Sequence, residues 1–204
     1  MLIEQEDTQF VLVDYQARLM PAILDGEGVL ANARRLAQLA QLFELPLFAT
    51  EENPAGLGPT VADLQSLLTQ AGGKTVAKMA FNAAADGLGE LLRPPARAPQ
   101  GNARSLPKHL QKAAKPAAER NSIVIAGCEA HVCLLQTALG LLEEEFDVWV
   151  VTDACGSRSE RNRDAAFDRL AGAGAELVST EMVAFELLRS AEHPALKDVL
   201  ALIK

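Results

Sequence analysis

The sequence predicts an α/β protein, a three-layer α/β/α sandwich around a mainly parallel six-stranded sheet. Two observations lead to this class. Short runs rich in β-branched residues alternate with longer segments in which apolar residues recur at helical spacing, which is the pattern of repeated βαβ units. The runs at 10–13 and 123–126 contain no polar residue, and such runs are typical of strands covered on both faces in a parallel sheet.

The first half of the chain supplies three predicted strands and two helices. Residues 10–13 (FVLV) begin the sheet, and Leu36, Leu39 and Phe43 mark the inner face of a crossover helix at 31–43, after a flexible GEG at 26–28. The other elements are a strand at 45–50, a helix at 60–71 and a strand at 74–78.

The second half repeats the same alternation. The run at 123–126 is broken by Gly127 and followed by a helix from about His131. Ser157 and Glu160 have the spacing of a capping box, which predicts the start of the next helix. The other elements are strands at 146–151 and 175–179 and helices at 157–171, 180–190 and 194–203.

Length and composition favour one domain that spans residues 1–204. Of the 204 residues, 49% are hydrophobic, which is enough for one full core and short for two domains. No apolar run reaches the roughly 18 residues of a membrane helix, and MLIEQEDTQF lacks the zones of a signal peptide. We therefore expect a cytoplasmic protein without a membrane partner.

The net charge limits the partners that we expect, and the cysteines indicate the redox state of the protein. A formal charge of −8 disfavours nucleic acid as a partner, because phosphate contacts supply most of that affinity. Anionic small molecules stay open, since a local basic pocket can override the net charge. Cys128, Cys133 and Cys155 are odd in number and lack zinc-finger spacing, so we expect them to be reduced.

One segment, the basic excursion at about 93–115, begins without a regular pattern. It carries four prolines and six Arg or Lys residues, and no acid lies between Glu90 and Glu119. We expect an irregular stretch and then a helix from about Leu106. Such a segment is typical of a surface insertion, a subunit contact or part of the cover of an active site.

Three residues stand where an open parallel sheet binds its ligands, beyond the carboxyl ends of strands. Asp14 follows the first strand, Lys78 ends the third, and Cys133 falls in a first helical turn, where the macrodipole favours a thiolate. The alternatives are an N-cap aspartate, a solvated lysine and a small core cysteine. Asp153, after the fifth strand, is expected to hold its loop. If the functional interpretation is right, Asp14, Lys78 and Cys133 lie close together.

The sequence offers no recognisable set of metal ligands. Its three histidines, His109, His131 and His193, are scattered without i, i+4 spacing, and the loop at 51–59 (EENPAGLGP) contains none. We therefore expect a protein that uses no metal and no other cofactor.

With these residues so placed, the sequence resembles the cysteine hydrolases of the isochorismatase-like superfamily, and most of all the isochorismatase domain-containing proteins. VLVDYQARLM resembles the segment of the family's aspartate, KMAFNA that of its lysine and GCEAHVCLLQTA that of its nucleophile. TEENPAGLGPTVADL, DACGSRSERNRDAAFDRL and AEHPALKDVLALIK have counterparts in the same order. The resemblance covers almost the whole chain and implies the family's Rossmann-like topology.

The resemblance implies a role for each of the three residues. Cys133 is the expected nucleophile, Asp14 the base and acid that moves its proton, and Lys78 the cation that orients the pair. The family also has a non-proline cis peptide before the nucleophile turn, which corresponds to the Cys128–Glu129 bond. The backbone N–H groups of Glu129 and Cys133 are then expected to form an oxyanion hole.

Further residues are expected to contact the substrate, namely Gln16, Phe81, Asn82 and His131. Asn82 stands where relatives often carry serine, so that contact is expected to differ. The zinc ligands of nicotinamidases have no counterparts near 51–57, which disfavours nicotinamidase activity. We also expect a homo-oligomer, in which a neighbouring subunit supplies part of the pocket wall.

The leading functional hypothesis is a metal-independent cysteine hydrolase that forms a thioester on Cys133 from a small amide or related acyl substrate. The direct alternative is isochorismatase-type hydrolysis of a vinyl ether, in which an aspartate acts as the acid and no cysteine is required. A third hypothesis is a catalytically silent interaction module. The cysteine argues against the second hypothesis, and the intact trio argues against the third.

Overall fold

Six strands form the central sheet in the computed structural model, which describes residues 1–93 and 120–204. The strands are β1 (Thr8–Val13), β2 (Leu47–Glu52), β3 (Lys74–Lys78), β4 (Ser122–Gly127), β5 (Asp147–Val151) and β6 (Glu176–Val178). They pair in the order β3-β2-β1-β4-β5-β6, and every pair is parallel. The predicted fold class is therefore confirmed.

The strand order reverses between β1 and β4, which lie side by side at the centre of the sheet. The chain runs outward from β1 to β3, returns to β4 on the other side of β1 and continues to β6. All residues of β1 and β4 are buried, as expected for central strands of a parallel sheet. In such sheets, ligands bind beyond the carboxyl ends of the strands at this switch point.

The described residues also form eight α-helices, which cover both faces of the sheet. They are α1 (Gly26–Leu42), α2 (Pro54–Leu57), α3 (Ala62–Gln70), α4 (Leu88–Leu92), α5 (Leu135–Glu143), α6 (Glu160–Gly172), α7 (Thr180–Leu188) and α8 (Leu196–Ile203). Helix α1 contacts α3, α7 and α8, whereas α5 contacts α6. Within the described ranges, no helix combines the length and the apolar character that crossing a membrane requires.

Helix α1 begins at Gly26, earlier than the predicted start at 31. The segment 26–28, interpreted as flexible, is its first turn. A Cβ at Gly26 would lie 2.8 Å from the carbonyl oxygen of Met20. Glycine is therefore needed here for a close approach of two backbone segments, and it does not mark a flexible linker.

Helix α6 begins at Glu160, so the capping-box prediction chose the wrong serine. The N-cap is Ser159, whose side chain accepts a hydrogen bond from the Asn162 amide. Ser157 is instead buried, and its hydroxyl oxygen lies 3.0 Å from His131 Nδ1. Two nearby serines precede the helix, and sequence spacing did not identify the one that caps it.

Most of the basic excursion predicted at about 93–115 lies outside the described residues, as does the helix predicted from about Leu106. Its first residue, Arg93, is firmly held. The guanidinium carbon lies 3.7 Å from the centre of the Phe146 ring, and the group donates to the carbonyls of Glu144 and Glu145. Arg93 therefore ties the end of α4 to the start of β5.

Asp153 has the structural role expected of it. Its Oδ1 accepts hydrogen bonds from the backbone N–H and the hydroxyl of Thr180, at 2.8 and 2.9 Å. These bonds join the loop after β5 to the first residue of α7.

Candidate active site

The carboxyl edge of the sheet brings together Asp14, Lys78 and Cys133, which are far apart in the sequence. Val13 at the end of β1 pairs with Gly127 at the end of β4, so Asp14 lies beside the turn that leads to Cys133. Strand β2 separates β1 from β3, and Lys78 reaches across it to Asp14. The predicted convergence of the three side chains is confirmed.

Asp14 is buried and uses both carboxylate oxygens. Oδ1 accepts a hydrogen bond from the Thr50 hydroxyl at 2.6 Å, and Oδ2 accepts one from Lys78 Nζ at 2.8 Å. The residue has a left-handed φ of 56°, a conformation that aspartate tolerates better than most residues do. These bonds show that Asp14 is part of a polar cluster and not the N-cap of a helix.

Lys78 is fully buried, and its ammonium is shared by two carboxylates. Nζ lies 2.8 Å from Asp14 Oδ2 and 2.8 Å from Glu52 Oε2. Burial lowers the pKa of Lys78, but the Asp14 carboxylate and the hydrogen bonds to Asp14 and Glu52 outweigh this effect, and the pKa is raised. The alternative of a solvated surface lysine is therefore wrong, and the group stays charged.

Cys133 lies in a π-helical segment, Ala130–Leu134, that leads into α5. Only 6% of the residue is exposed, and its Sγ and one carboxylate oxygen each of Asp14 and Glu52 lie within 4.8 Å of one another. Burial, followed by the charge of Asp14, raises the pKa of Cys133 to about 12, although Lys78 opposes the shift. Burial and the neighbouring anion therefore favour the neutral thiol, which is opposite to the effect expected of the helix start.

The backbone before Cys133 has the predicted cis peptide between Cys128 and Glu129. The carbonyl of Glu129 accepts hydrogen bonds from the amides of Val132 and Leu134, at 3.1 and 3.3 Å. Among the described residues, the Glu129 N–H donates to no backbone carbonyl. The oxyanion hole of the Glu129 and Cys133 amides stays a prediction.

Sequence reasoning missed two residues of this site, Thr50 and Glu52. Both lie on β2, the second strand, which was expected to end at 50 and ends at Glu52. Pairing places Thr50 opposite Val13, next to Asp14, and Glu52 opposite Lys78. The rule that selected Asp14 and Lys78, a polar residue at the carboxyl end of a strand, would also have found these two.

Two of the predicted substrate contacts, Gln16 and Asn82, have hydrogen-bond partners within the protein. Gln16 is buried, and its amide donates to the carbonyls of Glu52 and Gly58 and accepts from the Glu52 N–H. Asn82 accepts from the Ala84 amide at 2.9 Å. Gln16 therefore fixes the end of β2 and the chain that follows it, and Asn82 closes a local turn. The contact of either residue with substrate stays a prediction.

The other two predicted contacts keep accessible surface. Phe81 is 49% exposed. His131 is half-buried. Its Nδ1 lies 3.0 Å from the Ser157 hydroxyl, and its Nε2 lies 3.3 Å from the side-chain nitrogen Nδ2 of Asn162. Their contact with substrate stays a prediction.

Asp14, Glu52 and Cys133 are close enough to one another to share a metal ion. However, Lys78 Nζ lies 2.8 Å from a carboxylate oxygen of both Asp14 and Glu52. The ammonium therefore holds the position between the two carboxylates that a bound cation needs. A lysine-centred cluster fits these side chains better than a metal centre does.

Comparison with known proteins agrees with the fold and with the sequence motifs. A family model described as the isochorismatase domain matches residues 103–182. Isochorismatase domain-containing protein 2A from Mus musculus is 32% identical over 199 residues, which cover 98% of this chain and 84% of the mouse protein.

Solved structures with the same fold match over nearly the whole chain. The MAR1 ribonuclease from Caenorhabditis elegans has a TM-score of 0.83 and 28% identity, covering 100% of this chain and 92% of its own. YcaC from Pseudomonas aeruginosa, solved with hexane-2,5-diol and covalent acrylamide, has a TM-score of 0.76 and 27% identity, over 99% of this chain and 95% of its own. YcaC from Escherichia coli, described as an octameric hydrolase of unknown specificity, has a TM-score of 0.76 and 28% identity, over 100% of this chain and 95% of its own. The chain therefore belongs to the isochorismatase-like hydrolase family.

Proposed function

We propose that this protein is a metal-independent cysteine hydrolase that cleaves a small amide or a related acyl substrate through a thioester on Cys133. One observation carries the proposal. The buried Asp14 carboxylate lies within 4.8 Å of the Cys133 sulfur and is hydrogen-bonded to the Lys78 ammonium at 2.8 Å. A thiol, a base within reach of its proton and a fixed cation are the parts that nucleophilic catalysis by cysteine requires.

The first step moves the thiol proton as the sulfur attacks. Because its pKa is raised to about 12, Cys133 rests as a thiol, and Asp14 takes the proton while the Sγ–C bond forms. The carbonyl oxygen becomes an oxyanion, and in this proposal the backbone amides of Glu129 and Cys133 stabilise it. Lys78 keeps its charge and holds the Asp14 carboxylate in position.

The second step releases the amine and then the acid. Protonated Asp14 gives its proton to the leaving nitrogen as the C–N bond breaks, which leaves a thioester on Cys133. Asp14 then accepts a proton from water, and the resulting hydroxide attacks the thioester carbonyl. The C–S bond breaks, the carboxylic acid leaves, and Cys133 recovers its proton from Asp14.

Two further observations support a nucleophilic role for Cys133 over the alternatives. The P. aeruginosa YcaC structure contains covalent acrylamide, and acrylamide bonds to nucleophiles through its alkene carbon, so a relative with this fold carries a reactive nucleophile. A buried cluster of charges costs stability that apolar residues would not, which is hard to explain in a silent interaction module. Vinyl-ether hydrolysis needs no cysteine and leaves Cys133 without a role.

The same proposal includes the partners. We propose a small-molecule substrate, because Cys133 lies at the carboxyl edge of the sheet and only 6% of it is exposed, which leaves little surface for a large partner to contact. We expect no nucleic-acid partner, since the chain carries a formal charge of −8. A cytoplasmic homo-oligomer remains our expectation, and the octameric E. coli relative supports the oligomer.

The test is turnover of a panel of small amides by the purified full chain and three variants. We expect Cys133→Ser and Asp14→Asn each to lose about 10²-fold or more of the rate, because the first lacks the thiol and the second lacks the base. Cys155→Ser, at another buried cysteine, is the matched control and should keep the rate. Full turnover by Cys133→Ser, together with cleavage of a vinyl ether, would favour isochorismatase-type hydrolysis instead.

A further inference from the structure

Glu52 places a second carboxylate in the cluster, and the proposed chemistry does not use it. Its Oε2 lies 2.8 Å from Lys78 Nζ, the same distance as Asp14 Oδ2. Gln16 binds both the N–H and the carbonyl of Glu52, at 2.9 and 3.0 Å, which fixes the residue at the end of β2. The carboxylate is therefore held in place and is not an incidental surface charge.

The Glu52 side chain has the outermost position of the three charged groups. Its side chain is 10% exposed, whereas those of Lys78 and Asp14 are completely buried. Glu52 Oε2 accepts a hydrogen bond from Lys78. Glu52 Oε1 accepts none from the described residues. Glu52 thus keeps one carboxylate oxygen without a donor from the described residues, on a side chain that retains some exposure.

The formal charges in the cluster do not cancel. One ammonium lies against two carboxylates, which leaves one negative charge beside the Cys133 thiol. The negative charge acts on the Cys133 sulfur. Burial and Asp14 raise the pKa of this thiol, and the charge of Glu52 raises it further. In a site of low dielectric, a second anion a few ångströms away is strongly disfavoured.

We propose that Glu52 determines specificity, by admitting acyl substrates that are uncharged or cationic near the reacting carbonyl and rejecting those with a carboxylate there. The inference rests on the proposed function, since it concerns ligands that approach Cys133. A neutral amide or an ammonium group can donate an N–H to the open Oε1. A carboxylate group meets the uncompensated negative charge at the same place.

The test compares two alkylating reagents that differ by one charge. Iodoacetamide and iodoacetate react alike, as an Sγ–C bond forms, iodide leaves and the thiol proton passes to a base. The ratio of their rates at Cys133, located by peptide mapping, reports the electrostatic preference of the site. The same ratio measured with mercaptoethanol, a free thiol, gives the intrinsic preference between the two reagents. Comparison of the native protein with mercaptoethanol therefore tests the inference even if a variant does not fold.

We expect native Cys133 to prefer iodoacetamide by at least about tenfold more than mercaptoethanol does. Glu52→Gln should bring the ratio back towards the intrinsic value, because the amide oxygen can still bind Lys78 but carries no charge. Glu52→Asp keeps the charge and should keep the preference. Glu51→Gln is the matched control, since Glu51 binds Thr60 rather than Lys78, and its ratio should stay within about twofold of the native one.

Three results would overturn the inference. A native ratio equal to that of mercaptoethanol, or an unchanged ratio in Glu52→Gln, refutes the role of Glu52 and leaves the cysteine mechanism standing. A failure of Cys133 to react with either reagent, while the unfolded chain reacts with both, refutes the mechanism and the inference together.

Discussion

At the scale of single residues, Thr50 fixes the carboxylate on which the proposed chemistry depends. It is 1% exposed, and its hydroxyl donates to Asp14 Oδ1 at 2.6 Å. In Thr50→Val that bond is lost at nearly constant volume, and we expect amide turnover to fall about tenfold and the free energy of unfolding to fall by roughly 1.5–3 kcal/mol. Thr50→Ser should restore much of the turnover.

The control for this change is Thr8→Val. Thr8, at the opposite end of β1 from Asp14, is also buried, and its hydroxyl donates a 2.6 Å hydrogen bond to the backbone carbonyl of Glu4. The Thr8→Val variant should lose stability and keep amide turnover. If both valine variants lose turnover equally, Thr50 acts through stability alone.

The raised pKa of Cys133 sets a second expectation. Burial and the Asp14 carboxylate bring it to about 12, so the thiol stays protonated through the range in which an ordinary cysteine ionises. The ultraviolet absorbance of the Cys133 thiolate, taken as the difference between the native chain and Cys133→Ser, should therefore be absent between about pH 7 and 10. The urea-unfolded chain is the control, and its thiolate absorbance should appear near the ordinary pKa. Thiolate absorbance below about pH 9 in the folded protein would show that Cys133 rests as a thiolate.

The sequence predicted the positions of Asp14, Lys78 and Cys133 because each is marked by the end of a strand or the start of a helix. The backbone partners of Gln16, at Glu52 and Gly58, are not revealed by any local pattern. The raised pKa of Cys133 was not foreseen either, because burial and the charge of Asp14 arise only from tertiary packing. Local signals therefore locate chemical groups, but packing sets their ionisation.

At the scale of secondary structure, the contact between β1 and β4 holds the two halves of the site together. A Cβ at Gly127 would lie 2.4 Å from the carbonyl oxygen and 2.5 Å from the Cβ of Val13. We expect Gly127→Ala to push the strands apart, to lower the free energy of unfolding by about 1–3 kcal/mol and to reduce turnover. Equilibrium denaturation and the amide assay measure the two effects.

Gly172→Ala is the control for this element. A Cβ there meets no atom within 4 Å, and alanine is the better helix former. Its stability should be equal to or above that of the native chain. Equal stability of the two alanine variants would mean that β1 and β4 do not require this close approach.

Strands were easier to predict than helix ends. The central strands β1 and β4 are uninterrupted buried runs, which have few alternative interpretations. The starts of α1 and α6 were misplaced because they depend on single contacts, the approach of Gly26 to Met20 and the cap of Ser159 on Asn162.

At the scale of the whole molecule, alternation of strands and helices was enough to predict the layers of the fold. It could not predict assembly, for which the surface is the better guide. Met79 and Phe81 are 70% and 49% exposed just after the edge strand β3, and exposed apolar groups of this kind often mark interfaces. We expect light scattering to give a multiple of 21.8 kDa, and Met79→Ser with Phe81→Ser to reduce it. A native mass of one chain at micromolar concentration would rule out the oligomer.

The central claim, a thioester on Cys133, is tested most directly by trapping the intermediate. The native protein would be mixed with an electron-poor anilide, quenched in acid within the first turnovers, and measured as intact mass and by peptide mapping. The account predicts a mass increase equal to the acyl group without the amine, on the peptide that contains Cys133, and its removal by hydroxylamine. Steady release of the amine with no adduct on Cys133, and at the same rate in Cys133→Ala, would contradict it.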